Sequence, residues 1–397
     1  RSIPQLDLMR DGWNALADRH RHPLLRHEWF ACCARAFHDE RDLRVAVVRS
    51  NGRLVAAAPL VVSGARRPQR LVFIGSEALH EPCGLLYEDV ESLRWLLDGL
   101  LGLGQVVQLD RLEAGGGLLK EVGSRASRRA FRITRPSAAS LVVPVRGGWE
   151  GYHAGLSSRV TVNLPRVEAR ARRLGPVKFE CLSPAPREVD AVVDSVMAVE
   201  ASGWKARHGS AMAVKRPLGQ FFRLYATEAA REGLLRVFVL RVGDRPAAVE
   251  MNVEAYDRLW QLKIGFDEAF AEYYPGLLLV RESIRYAFGR GLEAFEFLGS
   301  AEPWERRWNP DARAYASTLL YPLRAVGAWG LATDIAAGLG RQVAKRLERL
   351  HRGQDRERAG RTGRSATASS SSPNDPRTGS RAAARAAAAL RSPGRRT

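Results

Sequence analysis

Leu259-Trp260-Gln261-Leu262-Lys263-Ile264-Gly265, then Tyr273-Tyr274-Pro275-Gly276-Leu277-Leu278-Leu279, then Ala294-Phe295-Glu296-Phe297-Leu298 is the stretch that decides the fold. The first block reads as a strand, the second opens a helix over 276–290 that stops at Gly291, and the third reads as a strand. Pro275 pre-sets φ for a first helical turn. Gly276 lets a ligand approach the backbone closely. The leading N–H groups of such a helix have no internal partner, and with the helix dipole they suit a pyrophosphate. Tyr274, Pro275, Gly276, Leu277 and Leu278 are therefore candidate cofactor-binding residues, with Ile264 on the strand beside them. A Pro-Gly helix start also occurs for purely structural reasons.

Working outward, the strand over 259–265 is the third of a meander whose first two strands have a copy near the N-terminus. Leu43-Arg44-Val45-Ala46-Val47-Val48-Arg49 and Leu54 to Val62 flank Asn51-Gly52; Leu235 to Arg241 and Pro246 to Val253 flank Gly243-Asp244. Each is strand, tight turn, strand. Each follows a helical pattern, over 28–37 and 218–232. The reading is two copies of one α/β unit, the alternative being two unrelated hairpins. The first half continues with a strand over 70–74, a helix over 91–103 and strands over 106–110, 131–134 and 140–145, with Pro136 marking a turn. The second half has a basic helical stretch over 157–174, a strand over 177–181, a helix over 188–204 and a last strand over 314–320. Residues 323–350 read as an amphipathic helix that either packs on the body or lies against an anionic membrane surface.

The chain has 397 residues and a formal net charge of +19. Beyond Leu350, eleven arginines against three acidic residues supply eight of those charges. That tail is rich in Arg, Gly, Ser, Ala and Pro and is expected to be disordered. A moderately basic body suits anionic ligands, nucleic acid or an anionic membrane, or it reflects genome composition. Cys32, Cys33, Cys83 and Cys181 form no C-x-x-C pair. Together with His20, His22 and His27 they show no metal spacing, so no metal and a reducing compartment are expected. No run of about 20 apolar residues spans a membrane, and no signal peptide is read at the N-terminus, although the chain begins with Arg1. A cytoplasmic location follows, peripheral at the inner membrane face if the terminal helix binds lipid.

Four passages carry a family resemblance: Leu156-Ser157-Ser158-Arg159 with Asn163-Leu164, Arg166, Arg170 and Arg172-Arg173-Leu174-Gly175; Gly203-Trp204-Lys205; Tyr274 to Leu279; and Gly291-Leu292-Glu293 with Phe295-Glu296-Phe297-Leu298-Gly299. In this order they resemble the GNAT-superfamily branch that contains the BioF2-like (CelD/BcsL-type) acetyltransferase domain, related to the Fem-type peptidyl transferases. The resemblance covers about 152–305. It implies an α/β (α+β), tandem GNAT-like fold with two mixed central sheets flanked by helices. The halves would be 1–146 and 147–322, followed by the helix at 323–350 and the basic tail at 351–397. It also implies acetyl-CoA or another acyl-CoA as co-substrate and an acyltransferase activity linked to exopolysaccharide or cellulose biosynthesis. The acceptor would be a small molecule or glycan precursor. The sequence departs from the family where Glu296 replaces Asp, where Trp304-Glu305 replaces Tyr-Lys, and where Pro165 replaces Arg.

Acyl transfer of this kind is direct attack on a thioester, which needs a proton acceptor and an oxyanion donor. Glu250, on the second strand of the meander, is expected to be the base, or else a salt-bridge partner on a solvated strand. Glu296 and Glu302 are alternative carboxylates near the same cleft. Backbone N–H groups over 259–264 are candidate oxyanion donors. Ser157, Arg159 and Asn163 either contact a phosphorylated or nucleic-acid ligand or form a solvated face. Trp204 and Lys205 gate the acceptor cleft, or Trp204 is core. Two other functions stay open: aminoacyl-tRNA-dependent transfer of the Fem kind, with tRNA as partner, and a non-catalytic partner-binding role.

Overall fold

The computed structural model describes residues 2–63, 68–203 and 215–339. Helices α1 (Ile3–Asp7), α2 (Arg10–His20) and α3 (His27–Phe37) open the chain. Strands β1 (Ala46–Ser50), β2 (Arg53–Ala58), β3 (Leu60–Val62) and β4 (Arg70–Phe73) follow, then α4 (Ser76–Leu79) and β5 (Leu86–Tyr87). Next come α5 (Val90–Gly102), β6 (Val106–Glu113), α6 (Gly117–Ala126) and β7 (Ala130–Pro144). The second half has α7 (Trp149–Ala154), α8 (Ser158–Thr161), α9 (Asn163–Ala171), β8 (Val177–Leu182), α10 (Val189–Ala201) and α11 (Arg216–Arg231). It ends with β9 (Leu235–Val242), β10 (Arg245–Ala255), β11 (Arg258–Phe266), α12 (Pro275–Gly289), β12 (Ala294–Phe297) and β13 (Asp311–Pro322). Residues 325–339 are helical. Arg1–Thr333 form one compact unit.

The fold is mixed α/β, and its internal repeat reaches beyond the two hairpins. In the first half α3 leads into β1–β2, and β4 and β6 then run parallel across the helix α5. In the second half α11 leads into β9–β10, and β11 and β12 run parallel across α12. Tight turns set both hairpins: Asn51 and Gly52 sit at φ 51° and 78°, and Gly243 at 60°. That left-handed geometry matches strand twist.

The halves then exchange their last strands. β7, which ends the first half, pairs with β12 of the second, and β13, which ends the second, pairs with β6 of the first. β7 and β13 also pair with each other. One ten-stranded sheet results, in the order β3-β4-β6-β13-β7-β12-β11-β10-β9-β8, beside a small sheet β1-β2-β5. The strand expected at the end of the second half therefore lies between two strands of the first.

Two expectations are corrected by proline. The single strand over 54–62 breaks at Pro59 into β2, in the small sheet, and β3, in the large one. The two strands over 131–134 and 140–145 are one strand, β7, with Pro136 inside it. Pro136 pairs with Ala316 of β13, while β12 covers only Leu141 to Pro144 on the other side. A residue without an N–H is tolerated where one edge is open. The basic stretch is two helices, α8 and α9, with Pro165 in the first turn of α9, where a missing N–H costs nothing.

The core reflects the same union. Trp13, Trp29 and Phe30 of the first half share a cluster with Phe221, Tyr225, Val249 and Met251 of the second. A second cluster buries α12 against the other face of β9–β12 through Leu278, Leu279, Ile284, Phe238, Phe295 and Phe297. The four cysteines are unpaired.

Candidate active site

The site begins with a strand irregularity. β11 pairs with β12 only from Arg258↔Ala294 to Gln261↔Phe297, then leaves β12 and continues to Phe266 paired with β10 only. On its other edge the register against β10 jumps from Asn252↔Gln261 to Met251↔Lys263. Leu262 is the extra residue of a β-bulge and has no partner residue in either ladder. A bulge re-aims side chains as well as backbone. Gln261 and Ile264 face α12, whereas Leu262 packs toward the α10–α11 side and Lys263 reaches Glu200 of α10 at 3.3 Å. Gly265 makes the close approach possible, since a Cβ there would lie 2.9 Å from Glu200 Cβ.

At the splayed end of β11 stands the start of α12. Tyr274 turns the chain at φ 45° and no side chain caps the helix. The amides of Leu277 and Leu278 both reach the Tyr274 carbonyl, at 3.0 and 3.1 Å. The Gly276 amide meets no acceptor among the described residues. A Cβ on Gly276 would sit 3.7 Å from Ile264 Cδ1 and Phe266 Cδ1. Arg170 of α9 comes alongside, donating to the Glu272 carbonyl at 3.1 Å with its guanidinium 5.8 Å from the Tyr273 ring.

The repeat supplies an internal control. The equivalent helix of the first half, α5, is closed by its own carboxylate: Asp89 accepts from the Ser92 amide at 2.8 Å in a capping box. One copy caps its helix start with a side chain and the other does not.

On the opposite face from α12, the first half meets this splay. Glu81 accepts from the Gly299 amide at 2.7 Å, just past the end of β12. Burial raises its carboxyl to about 7, against the pull of the Gly299 amide, Arg111 and Lys263. Buried Arg111, at φ 53°, donates to the carbonyls of His80 (2.5 Å) and Gly299 (2.6 Å) and to Ser140 Oγ (2.8 Å), and lies over the Tyr315 ring. Desolvation lowers the pKa of that guanidinium. Gly299 is thus held at its N–H by Glu81 and at its C=O by Arg111. Directly beyond Glu81, Pro82 lines a cavity of about 270 Å³ with His20, His22, Arg313 and Tyr315. A neighbouring groove of about 570 Å³ shares Glu113 and Arg313 with it.

The expected residues fall into separate places. Tyr274 to Leu278 and Ile264 come together as described. Glu250 is wholly buried beneath α12, neither exposed to solvent nor ion-paired. Gln261 and Asn252 donate to it, and burial raises its carboxyl to about 7 despite the Ser283, Asn252 and Gln261 hydrogen bonds. Glu296 lies on the other face of the sheet, 1% exposed and paired with Arg258 (2.5 Å) and Arg313 (3.0 Å). The sheet separates these two carboxylates, contrary to the expectation of one shared cleft. The cause is parity: Phe295 and Phe297 take the α12 face of β12, which turns Glu296 away. Glu302 is exposed, and its amide donates to Glu305 Oε2 at 2.9 Å. Ser157, Arg159 and Asn163 are exposed on or beside α8 and α9; Arg170 is the member of that stretch that reaches the α12 entry. Trp204 and Lys205 lie outside the described residues.

Glu81, Arg111, Lys263 and Glu200 escaped the sequence reading. Lys263 left a signal, a lone charge in an apolar strand. Glu81 left none, because its meaning comes from a contact with Gly299, 218 residues away.

Residues 158–306 match the acetyltransferase (GNAT) domain family. No curated protein matches the chain. Among solved structures it is similar to the C-terminal DUF2156 domain of an assigned lysylphosphatidylglycerol synthetase from Agrobacterium fabrum. That match has 13% identity and TM-score 0.52, and covers 82% of this chain and 96% of that one. L-PGS from Bacillus licheniformis is also similar, with 12% identity and TM-score 0.50 over 78% and 90% of the two chains. A Bacteroides thetaiotaomicron protein of unknown function has 9% identity and TM-score 0.51 over 81% and 97%. At such identities these likenesses speak for the fold alone. Within the chain it is thus residues 158–306 that are similar to the acetyltransferase (GNAT) domain. Among the described residues no helix is long and apolar enough to cross a membrane, and no His, Cys, Asp or Glu group is placed to hold a metal.

Proposed function

We propose that this chain is an acyl-CoA-dependent N- or O-acyltransferase with one donor site, in its second half. The observation that carries the reading is the uncapped start of α12 beside the splayed end of β11, set against the capped equivalent at α5. The Gly276 amide, at the positive end of the helix dipole, would hold the diphosphate, with Ile264 and Tyr274 beside it. The acyl thioester would pass between β11 and β12, its carbonyl oxygen polarised by the unpaired backbone of Leu262. The acceptor would enter from the Glu81 side. Its nitrogen or oxygen attacks the thioester carbon, Glu81 takes the proton it loses, and the carbon–sulfur bond breaks to release the thiol. A carboxyl raised to about 7 is half ionised near neutrality, which suits a base. Glu250, closed off beneath α12, braces that helix against β10 and β11. The cavities of about 270 and 570 Å³ are of the size that holds a small molecule or glycan precursor.

The test is calorimetric titration of the chain with acetyl-CoA and longer acyl-CoAs. Saturable binding that Gly276→Asp abolishes supports the reading; absence of binding to every acyl-CoA rules it out. Exposed Arg159, Arg166 and Arg173 on α8, on α9 and just beyond α9 favour a second reading, aminoacyl-tRNA as donor. Under that reading, binding would be to tRNA and would fall steeply with salt.

A further inference from the structure

Of the exposed large apolar side chains, several gather at the end of β13 and the helix that follows. Leu323 is 68% exposed, Val326 41% and Trp329 52%. Phe131, 50% exposed, belongs to the same edge: its ring lies 6.5 Å from that of Tyr321, and Leu323 N–H donates to the Arg129 carbonyl. Leu103, 55% exposed, precedes Gly104, whose Cβ position lies 2.7 Å from Arg324 Nη1.

The helix presents this face because its other face is glycine. A Cβ on Gly327 would fall 1.9 Å from the Pro322 carbonyl oxygen, and one on Gly330 would fall 2.9 Å from Val106 Cγ2. The glycines let the helix lie close against the sheet, and the large side chains at 326 and 329 are turned outward. A contiguous apolar face of this kind on a soluble body marks an interaction site.

The charges around it select the partner. Arg128, next to the Arg129 carbonyl that Leu323 meets, and Arg324, next to Leu323, are exposed beside the apolar residues. The nearby acid, Asp98, is engaged by Arg125 and Arg129. In sequence, the thirteen residues after Leu339 add five basic residues and one acidic one. Two copies of such a face would repel each other, and a nucleic acid would leave Leu323, Val326 and Trp329 in water. An anionic lipid surface satisfies both features: acyl chains receive the apolar residues and headgroups receive the arginines.

We infer that this face docks the protein on anionic phospholipid, independently of which acyl donor it uses. The experiment is co-sedimentation of the full chain with vesicles of phosphatidylcholine alone or with about one-third phosphatidylglycerol. The expected result is at least tenfold tighter binding to the anionic vesicles, reduced at high salt. The double variant Val326→Ser/Trp329→Ser should lose at least tenfold on those vesicles, with thermal melting unchanged because both residues are exposed. The variant Arg128→Gln/Arg324→Gln should lose binding to anionic vesicles and keeps the test valid should the serine variant unfold. Equal partitioning of parent and variants, or equal binding to both vesicles, overturns the proposal. So does a dimer by light scattering that the serine variant abolishes.

Discussion

Gly276→Asp puts into the second half what the first half already has, an acid at the start of the helix. The side chain fits: its Cβ would meet Ile264 Cδ1 and Phe266 Cδ1 at 3.7 Å, an ordinary contact. Gly276 is also absent from the positive-φ residues, so a side chain there brings no backbone strain. An acid in a first helical turn is favourable by about 0.3–1 kcal/mol, so the melting temperature should hold or rise slightly. For a bound diphosphate the sign reverses. A carboxylate about 4 Å from a phosphate charge costs about 4 kcal/mol at an effective dielectric near 20. Salt and water at an open helix tip reduce this. We expect at least a tenfold loss of acetyl-CoA affinity, about 1.4 kcal/mol. Calorimetry on parent, Gly276→Asp and Gly276→Ala is the assay. The alanine variant should stay within about threefold of the parent, under 1 kcal/mol, since it adds bulk without charge. Equal affinity in parent and aspartate variant would refute a diphosphate site at this helix.

Asp89→Ala should cost about 1 kcal/mol of stability through the lost α5 cap and leave acyl-CoA affinity unchanged; chemical denaturation and calorimetry read the two. Glu81→Gln should lower kcat by about 10²–10³ with KM little changed, and should remove the rise in rate that the parent shows as pH passes about 7; a pH–rate profile decides. Glu250 is expected to make the protein less stable as pH rises. Its carboxyl is raised to about 7 when folded, so between the ordinary carboxylate range and 7 the folded state binds the extra proton, and stability falls as that proton is lost. Glu250→Gln should make the fall in melting temperature from pH 5 to 8 shallower, the rest coming from Glu81, whose carboxyl is also raised to about 7; a slope equal to the parent's would contradict the assignment.

The sequence by itself determined what depends on neighbours along the chain. The hairpin at Asn51-Gly52, the Pro275-Gly276 helix entry and the α12-to-β12 unit follow from local steric preferences and from apolar periodicity. The two hairpins, each after a helical pattern, made the tandem reading possible. The tertiary structure alone decided which strands lie side by side. β7 and β13 have no sequence mark of their exchange, because strand pairing uses backbone groups that every residue carries. The same holds for the proposed base. Glu250 looked suited to the role by its strand, yet α12 covers it. Glu81 has no local mark at all, yet the tertiary fold brings the Gly299 amide to it. Which carboxylate faces a reacting group is set by burial and by contacts distant in sequence, and neither is a property of the local chain.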